Sequence, residues 1–161
     1  ADVIIIDTGA GIAPSVMEFL VASPEILLVT TPEPTSITDS YALLKALSMN
    51  EDFDKNVTSI KMIANKVSSE MEGRRVYEKL SVVVTKFLNL EIGFVGTVPH
   101  DKDITKAIMK QKPVSIMYPN SIAARHYQNI VNTLESHVDN ITYSKYRGIK
   151  GYIKTIFANR K

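Results

Sequence analysis

Residues 26–49, with the sequence ILLVTTPEPTSITDSYALLKALSM, decide the fold that we predict for this chain. The first five residues are apolar or β-branched, which is typical of a buried strand, and a turn with two prolines follows. Large apolar residues then recur at spacings of three and four, at Ile37, Tyr41, Leu44 and Leu47. That spacing indicates a helix with one buried stripe, so the stretch is a strand followed directly by an amphipathic helix.

The same alternation continues along residues 1–136. Apolar runs predict strands at residues 3–6, 26–30, 60–64 and 92–98. Amphipathic stretches predict helices at residues 13–21, 36–49, 69–88, 103–111 and 121–136. Pro14 lies where the start of a helix tolerates it, and Pro113 lies where a helix ends. Because each predicted strand is almost uniformly apolar, we expect a mainly parallel sheet covered on both faces, a three-layer α/β domain.

The composition excludes several classes of chemistry. The 161 residues include no cysteine, which removes disulfides, cysteine-based zinc sites, thiol nucleophiles and iron–sulfur ligation, and a reducing cytoplasm fits this composition. No apolar run approaches the roughly 18 residues of a membrane-spanning helix. The first residues lack an initiator Met and a basic flank, so we expect a piece of a longer protein rather than a signal peptide.

The positive charge is concentrated at the carboxyl end. Residues 145–161 contain six basic residues and no acid, which leaves 13 basic and 17 acidic residues, a net charge of −4, in the first 144. We predict a linker at residues 137–145 and an amphipathic tail at residues 146–161. The tail has apolar residues at helical spacing and cations between them, at Ile149, Lys150, Tyr152, Ile153, Lys154, Ile156 and Phe157. This pattern predicts binding to an anionic membrane surface, with docking on the protein core or stacking on nucleic acid as the alternatives.

A predicted strand that ends in an acid is the first candidate for chemistry. Residues 3–11, VIIIDTGAG, run from an apolar segment into Asp7 and then into a turn of small residues that ends at Gly11. An acid at the carboxyl edge of a parallel sheet can order a magnesium ion, and glycines allow the backbone to approach a phosphate closely. The same residues also fit an ordinary connection between a strand and a helix.

Four segments in a fixed order resemble the MinD/ParA family of deviant-Walker P-loop ATPases. They are residues 7–12 (DTGAGI), 30–39 (TTPEPTSITD), 63–66 (IANK) and 98–101 (VPHD). The DTGAG turn is most similar to the branch that regulates flagellar number. The resemblance covers essentially all 161 residues and implies a P-loop NTPase sheet that is incomplete at its amino-terminal side.

The resemblance implies a role for each candidate residue. Asp7 is similar to the Walker B acid that orders the magnesium shell, and Gly11 to the glycine whose N–H faces the γ-phosphate. Asn65 is similar to the residue that reads the adenine edge, since its amide offers both a donor and an acceptor. Pro99 and Asp101 are similar to the loop that closes over the base.

Two acids and several partners also follow from the resemblance. Glu33 and Asp39 lie in the segment that, in relatives, faces the dimer partner and regulators. The implied cofactors are ATP and Mg²⁺. The implied partners are a second copy of the protein, the inner face of the cell membrane, a flagellar GTPase of the signal-recognition type and flagellar switch proteins. Binding to a specific nucleic acid is not expected.

Each of these residues also has an ordinary structural explanation. Asn65 could end a strand in a turn, Pro99 could interrupt a loop, and Asp101 could cap the following helix. Glu33 and Asp39 could be common first-turn acids. The alternative function is a non-catalytic α/β module that binds a metal or a partner.

The sequence contains no P-loop. None of its seven glycines, at positions 9, 11, 73, 93, 96, 148 and 151, begins a G-x-x-x-x-G-K-[ST] motif. We therefore expect this polypeptide to hydrolyse little or no ATP, and the longer protein to be an ATPase. A sheet without its P-loop strand would also leave an apolar edge unpaired.

We predict that the isolated chain associates with itself through that unpaired edge, because exposed strand edges template pairing with other chains. Light scattering at several protein concentrations should give a mass above 17.9 kDa. A compact, monodisperse monomer would contradict this prediction.

Overall fold

The computed structural model describes residues 3–138 of the chain, and side chains up to residue 136. Three strands alternate with six helices in this part of the chain. In chain order they are α1 (Pro14–Ala22), β1 (Glu25–Thr30), α2 (Pro34–Ser48), β2 (Ser59–Val67), α3 (Glu70–Leu88), β3 (Gly93–Pro99), α4 (Lys102–Met109), α5 (Val114–Met117) and α6 (Ile122–Val138). From β1 to β3 this is the β-α-β arrangement predicted from the alternation along residues 1–136.

The three strands form one parallel sheet in the order β1-β2-β3. Ile26 of β1 is level with Ile60 of β2, and Thr30 with Ala64. On the other side of β2, Asn65 is level with Val98 of β3. Because all three strands run in the same direction, their carboxyl ends meet at one edge of the sheet.

Helices cover the sheet on both faces, which confirms the α/β fold. The main core joins buried side chains of β1 and β2 to α2 and α3, with Leu44, Leu47, Met62 and Leu80 fully buried, and the apolar side of α1 packs against it. A second cluster on the opposite face packs Ile130 of α6 against Val95 and Val98 of β3. The protein therefore has three layers.

Local signals explain the position of α3, the longest helix. The Ser69 hydroxyl caps it by accepting the N–H of Glu72 at 3.2 Å. The Glu72 carboxylate in turn accepts the N–H of Ser68 at 2.6 Å, which lowers the pKa of Glu72. Asn89 ends the helix in the left-handed conformation. The observed helix agrees with the prediction for residues 69–88 within one residue.

The prediction of a strand at residues 3–6 is wrong. These residues form no strand, and their side chains are exposed, with Ile5 82% exposed. In residues 3–138, β1 pairs with β2 alone, and no strand receives the backbone groups of residues 3–6. A strand needs a neighbour for its hydrogen bonds, so high β-propensity alone does not form one. Asp7 consequently follows an extended segment rather than a strand.

The expectation that every strand is covered on both faces is also wrong for β1. Ile26, Leu28 and Thr30 point into the main core, whereas Leu27 and Val29 on the other face are exposed, Val29 by 55%. Helix α6 packs mainly against β3. The apolar sequence of β1 is therefore that of a strand with two buried faces, although one face is open here.

The helices differ from prediction mainly at their ends. Helix α2 begins at Pro34, two residues early, and α4 ends at Met109, two residues early. The four-residue helix α5 was not predicted, because it is too short to show a hydrophobic period. Helix α6 extends to Val138, two residues into the predicted linker, whose remainder lies outside the described residues.

Gly73 brings α3 unusually close to the sheet. A Cβ atom at this position would lie 2.4 Å from Cγ2 of Thr97 and 3.1 Å from the Cβ of Ala64. Both neighbours are buried, so neither can move away easily. Only glycine allows the helix to lie at this distance.

We predict that Gly73→Ala destabilises the protein by about 1–3 kcal/mol, because the overpacking outweighs the gain of up to about 1 kcal/mol in helix propensity. Urea unfolding would measure this. The double variant Gly73→Ala/Thr97→Ser, which removes the atom in the way, should recover part of the loss. Gly93→Ala is the control, since its Cβ would lie 3.9 Å from the nearest atoms. Unchanged stability for Gly73→Ala would contradict the prediction.

Candidate functional site

Three of the four predicted segments meet at the carboxyl edge of the sheet. Residues 30–39, 63–66 and 98–101 follow or end β1, β2 and β3, whose carboxyl ends lie side by side. The fourth segment, residues 7–12, lies in irregular chain before α1. The carboxyl edge of an open parallel sheet is the usual place for a ligand, which makes it the candidate site.

Asn65 lies at this edge, two residues before the end of β2. Its side chain is partly buried, and Oδ1 accepts the N–H of Lys66 at 2.9 Å. Lys66 has a positive φ of 55° and interrupts the regular pairing of β2 with β3. The amide nitrogen of Asn65 donates to no group in residues 3–138, so it remains available to a ligand.

The loop after β3 is held from several directions. The N–H of His100 donates to the carbonyl oxygen of Val67 at 2.9 Å, one step past the last paired residue, Pro99. The Asp101 carboxylate accepts two N–H groups, that of Asp103 at 2.9 Å and that of Ala123 at 3.0 Å. These two bonds, that from Ala123 first, hold the pKa of Asp101 below its usual value.

Asp101 is thus the N-cap residue of α4, which is the ordinary structural explanation given for it above. The bond to Ala123 was not predicted. It joins the same carboxylate to the first turn of α6, 22 residues further along the chain. A closing role for Pro99 and Asp101 over a base stays a prediction.

The segment after β1 is held by hydroxyl groups. Thr30 is fully buried and shares a hydrogen bond of 2.5 Å with the hydroxyl of Ser40 in α2. The N–H of Thr31 donates to Oγ of Ser36 at 3.0 Å. These contacts fix the start of α2 against the end of β1.

Glu33 and Asp39 both have exposed side chains, Glu33 just before α2 and Asp39 in its second turn. The alternative that they are first-turn acids is therefore wrong, since the first turn of α2 contains no acid. Glu33 is the N-cap residue, and its carbonyl oxygen accepts the N–H of Ile37 at 3.2 Å. Neither carboxylate forms an ion pair within the described part of the chain. Both acids are therefore accessible to a partner, which is what their predicted role requires.

Residues 7–12 are open to solvent. Asp7 is exposed, and Gly11 has φ +98°, a conformation that L side chains rarely adopt. A Cβ added at Gly9 or Gly11 would have no neighbour within 4 Å. Asp7 is not turned inward, and residues 3–138 hold no cluster of three or more potential metal ligands around it.

Sequence reasoning missed His126 as a structural residue. Its Nδ1 lies 2.8 Å from the carbonyl oxygen of Thr97, and because a carbonyl only accepts, Nδ1 carries the proton. This bond fastens α6 to β3 one turn after the bond from Asp101 to Ala123. The sequence around His126 gives no sign of this hydrogen bond, because its partner Thr97 lies 29 residues earlier in the chain.

Two cavities of the described structure lie away from the predicted residues. One, of about 730 Å³, lies between the amino ends of β2 and β3, at the opposite edge of the sheet, and is lined in part by Lys55, Asn89 and Phe94. A second of about 580 Å³ follows the outer edge of β3 between α3 and α6. No predicted site residue lines either one.

The predicted membrane residues in the tail, Ile149, Lys150, Tyr152, Ile153, Lys154, Ile156 and Phe157, lie outside the described residues. Their role stays a prediction. Within residues 3–138, no helix is both long and apolar enough to cross a bilayer.

Comparison with known proteins gives clear relatives, although no family model matches the chain. It is 39% identical over 135 residues to the antiactivator FleN of Pseudomonas aeruginosa, a match that covers 84% of this chain and 47% of FleN. It is 31% identical over 157 residues to the flagellum site-determining protein YlxH of Helicobacter pylori, covering 96% of this chain and 51% of YlxH. The chain spans about half the length of these curated relatives.

Among solved structures, the cell division ATPase MinD of Pyrococcus furiosus shares the fold. The TM-score is 0.60 at 20% sequence identity, and the match covers 81% of this chain and 50% of that one. This likeness shows that the two chains share the three-layer α/β fold. By its sequence relatives, the chain belongs to the MinD/ParA family, and it is related to the antiactivator FleN and to the flagellum site-determining protein YlxH.

We predict that Asp101→Asn lowers the free energy of unfolding by about 1 kcal/mol at pH 7, because it removes a charged acceptor of two N–H groups. The folded pKa lies below the unfolded value of about 3.9, so this stabilisation is complete above that value and is lost as the pH falls through the folded pKa. Urea unfolding at pH 7, 5 and 3 should show the difference from wild type shrinking in acid.

Asp103→Asn is the matched control for this experiment. Within residues 3–138 the Asp103 carboxylate bonds only the exposed Lys106, at 2.7 Å, so its loss should change stability by a few tenths of a kcal/mol. A difference for Asp101→Asn that stays constant with pH would contradict the prediction.

Proposed function

We propose that this chain is the carboxyl-terminal part of a MinD-like ATPase that regulates the number or placement of flagella. The observation that carries the proposal is the meeting of residues 30–39, 63–66 and 98–101 at one sheet edge, in a chain 39% identical to FleN. In this proposal the whole protein dimerises on binding ATP, attaches to the membrane and is released after hydrolysis.

Asn65 is proposed to recognise the adenine base. Its Nδ2 is available as a donor for N7 of adenine. Its Oδ1 accepts one N–H from Lys66 and keeps a second lone pair for the exocyclic amine. The bond from Lys66 also orients the amide before a base arrives. Guanine carries an oxygen where adenine has its amine, so the same amide would favour adenine.

Asp7 and Gly11 are proposed to face the phosphates. Asp7 is exposed, and Mg²⁺ usually takes one or two carboxylates together with phosphate oxygens and water, so a single acid fits this ion without a protein cluster. The ion would neutralise charge on the phosphates. Gly11, with its positive φ, lets the backbone approach a phosphate. We propose that the P-loop itself is supplied by a segment upstream in the longer protein.

Glu33 and Asp39 are proposed to meet protein partners. Both acids are exposed, Glu33 as the N-cap residue of α2 and Asp39 in its second turn, on the helix that leaves the candidate nucleotide edge. A dimer partner or regulator that reaches this edge would meet both charges. The proposed partners are a second copy of the protein, a flagellar GTPase of the signal-recognition type and flagellar switch proteins.

The basic tail is proposed to attach the protein to the inner face of the cell membrane. Its sequence places an apolar stripe beside several cations, which suits an anionic surface. Two glycines, Gly148 and Gly151, weaken a helix there by about 1 kcal/mol each, so one tail binds weakly. Two tails in one dimer bind more tightly through their effective concentration. Dimerisation of the protein on binding ATP would therefore control whether it stays bound to the membrane.

We predict that the chain, joined to its upstream P-loop segment, binds anionic liposomes in the presence of ATP and much less without it. Ile153→Glu should reduce this binding at least tenfold, since a charge enters the apolar stripe. Asn65→Ala should raise the ATP concentration that is required. Sedimentation with phosphatidylglycerol liposomes measures both effects.

Matched controls are available for both changes. Ala158→Glu adds the same charge to the tail on the side of the predicted helix opposite the apolar stripe, and Asn56→Ala removes an exposed amide at the opposite edge of the sheet. Ala158→Glu should therefore weaken liposome binding less than Ile153→Glu does, and Asn56→Ala should behave like the wild type. If neither nucleotide nor Ile153→Glu changes liposome binding, the ATPase proposal fails and the non-catalytic binding module is favoured.

A further inference from the structure

We propose that Asp101 is a positioning residue for the nucleobase, which it does not contact: it holds the loop after β3 by bonding the first turns of two helices. The inference rests on the proposed nucleotide function. It concerns the residue that sequence resemblance placed in the loop over the base.

The geometry of the Asp101 carboxylate supports this role. One oxygen accepts the N–H of Asp103, and the other accepts the N–H of Ala123. Both oxygens are thus directed at backbone groups of the protein. A carboxylate that accepts two backbone N–H groups gains a fixed orientation, so the residues just before it are fixed as well.

Helix α6 is in turn fixed to the sheet, so the bond to Ala123 has a rigid support. Ala123 is fully buried, and the Nδ1–H of His126 donates to the carbonyl oxygen of Thr97 in β3. Ile130 packs against β3 one turn later. The loop is therefore tied through Asp101 to a helix that is itself attached to the strand from which the loop departs.

The remaining anchor of the loop leads directly to the proposed base-reading residue. The N–H of His100 donates to the carbonyl oxygen of Val67, two residues after Asn65. Val98, in β3 and three residues before Asp101, is level with Asn65 in the sheet. A shift of the loop would thus move the backbone that lies beside Asn65, although Asn65 itself would stay in place.

The test uses the chain joined to its upstream P-loop segment, with Asp101→Ser as the variant. A serine hydroxyl still caps α4 but is too short and too weak an acceptor to hold Ala123 as well. We expect faster amide hydrogen exchange at Ala123, a Kd for ATP raised about tenfold, and an unchanged Kd for tripolyphosphate, which has no base. Asp103→Asn, which leaves the Asp101 carboxylate in place, should change none of these values.

Other results would overturn the inference. Faster exchange at Ala123 with an unchanged Kd for ATP would give Asp101 a structural role alone. A raised Kd for ATP with unchanged exchange would mean that Asp101 contacts the base directly. Equal losses for ATP and tripolyphosphate would mean a general effect on the site. If Asp101→Ser does not fold, Asp101→Asn allows the same comparison.

Failure of the proposed function is distinguishable from these results. A wild-type protein that binds tripolyphosphate and not ATP overturns base recognition at this edge. One that binds neither overturns the nucleotide function as a whole. In both cases there is no nucleobase for Asp101 to position, so the inference about Asp101 is overturned as well.

Discussion

The parallel pairing of β2 with both of its neighbours is the constraint on which the candidate site depends. Every segment that leaves a strand toward α2, α3 or α4 starts from the same edge of the sheet. The pairing continues past the regular ladder, because the N–H of His100 reaches the carbonyl oxygen of Val67. Residues 30–39, 63–66 and 98–101, which are far apart in the sequence, thereby become neighbours in the structure.

Thr97 shows how closely the three layers depend on one another. On one face of β3, its methyl group lies against Gly73 of α3, where no Cβ would fit. Its carbonyl oxygen accepts the Nδ1–H of His126 from α6, on the other face. A substitution at Thr97 would therefore disturb both α3 and α6. Because Asp101 is bonded to α6 through Ala123, the loop after β3 would lose part of its support as well.

The positions of most elements could be predicted because they depend on short-range patterns. The apolar run at residues 26–30 and the stripe that follows it are visible in a window of 24 residues, and α3 carries its own cap at Ser69. Residues 3–6 show the limit of that reasoning. Their composition is that of a strand, but pairing depends on a neighbour that residues 3–138 do not provide.

Side-chain partners could not be predicted, because they depend on where distant residues arrive. The capping of α4 by Asp101 is local and was one of two explanations, whereas its bond to Ala123 required the position of α6. The same holds for His126 and Thr97, which are 29 residues apart. Sequence alone therefore identifies which residues reach the edge more readily than what each side chain does there.

The carboxyl edge thus has two kinds of polar residue. On the β3 side, Asp101 has both oxygens bonded to backbone groups, and the loop around it is fixed before any ligand binds. On the β2 side, the amide nitrogen of Asn65 donates to no group in residues 3–138. A ligand that enters this edge would therefore find an available hydrogen-bond donor at Asn65. The β3 side would act as a preformed wall, which reduces the ordering cost of binding.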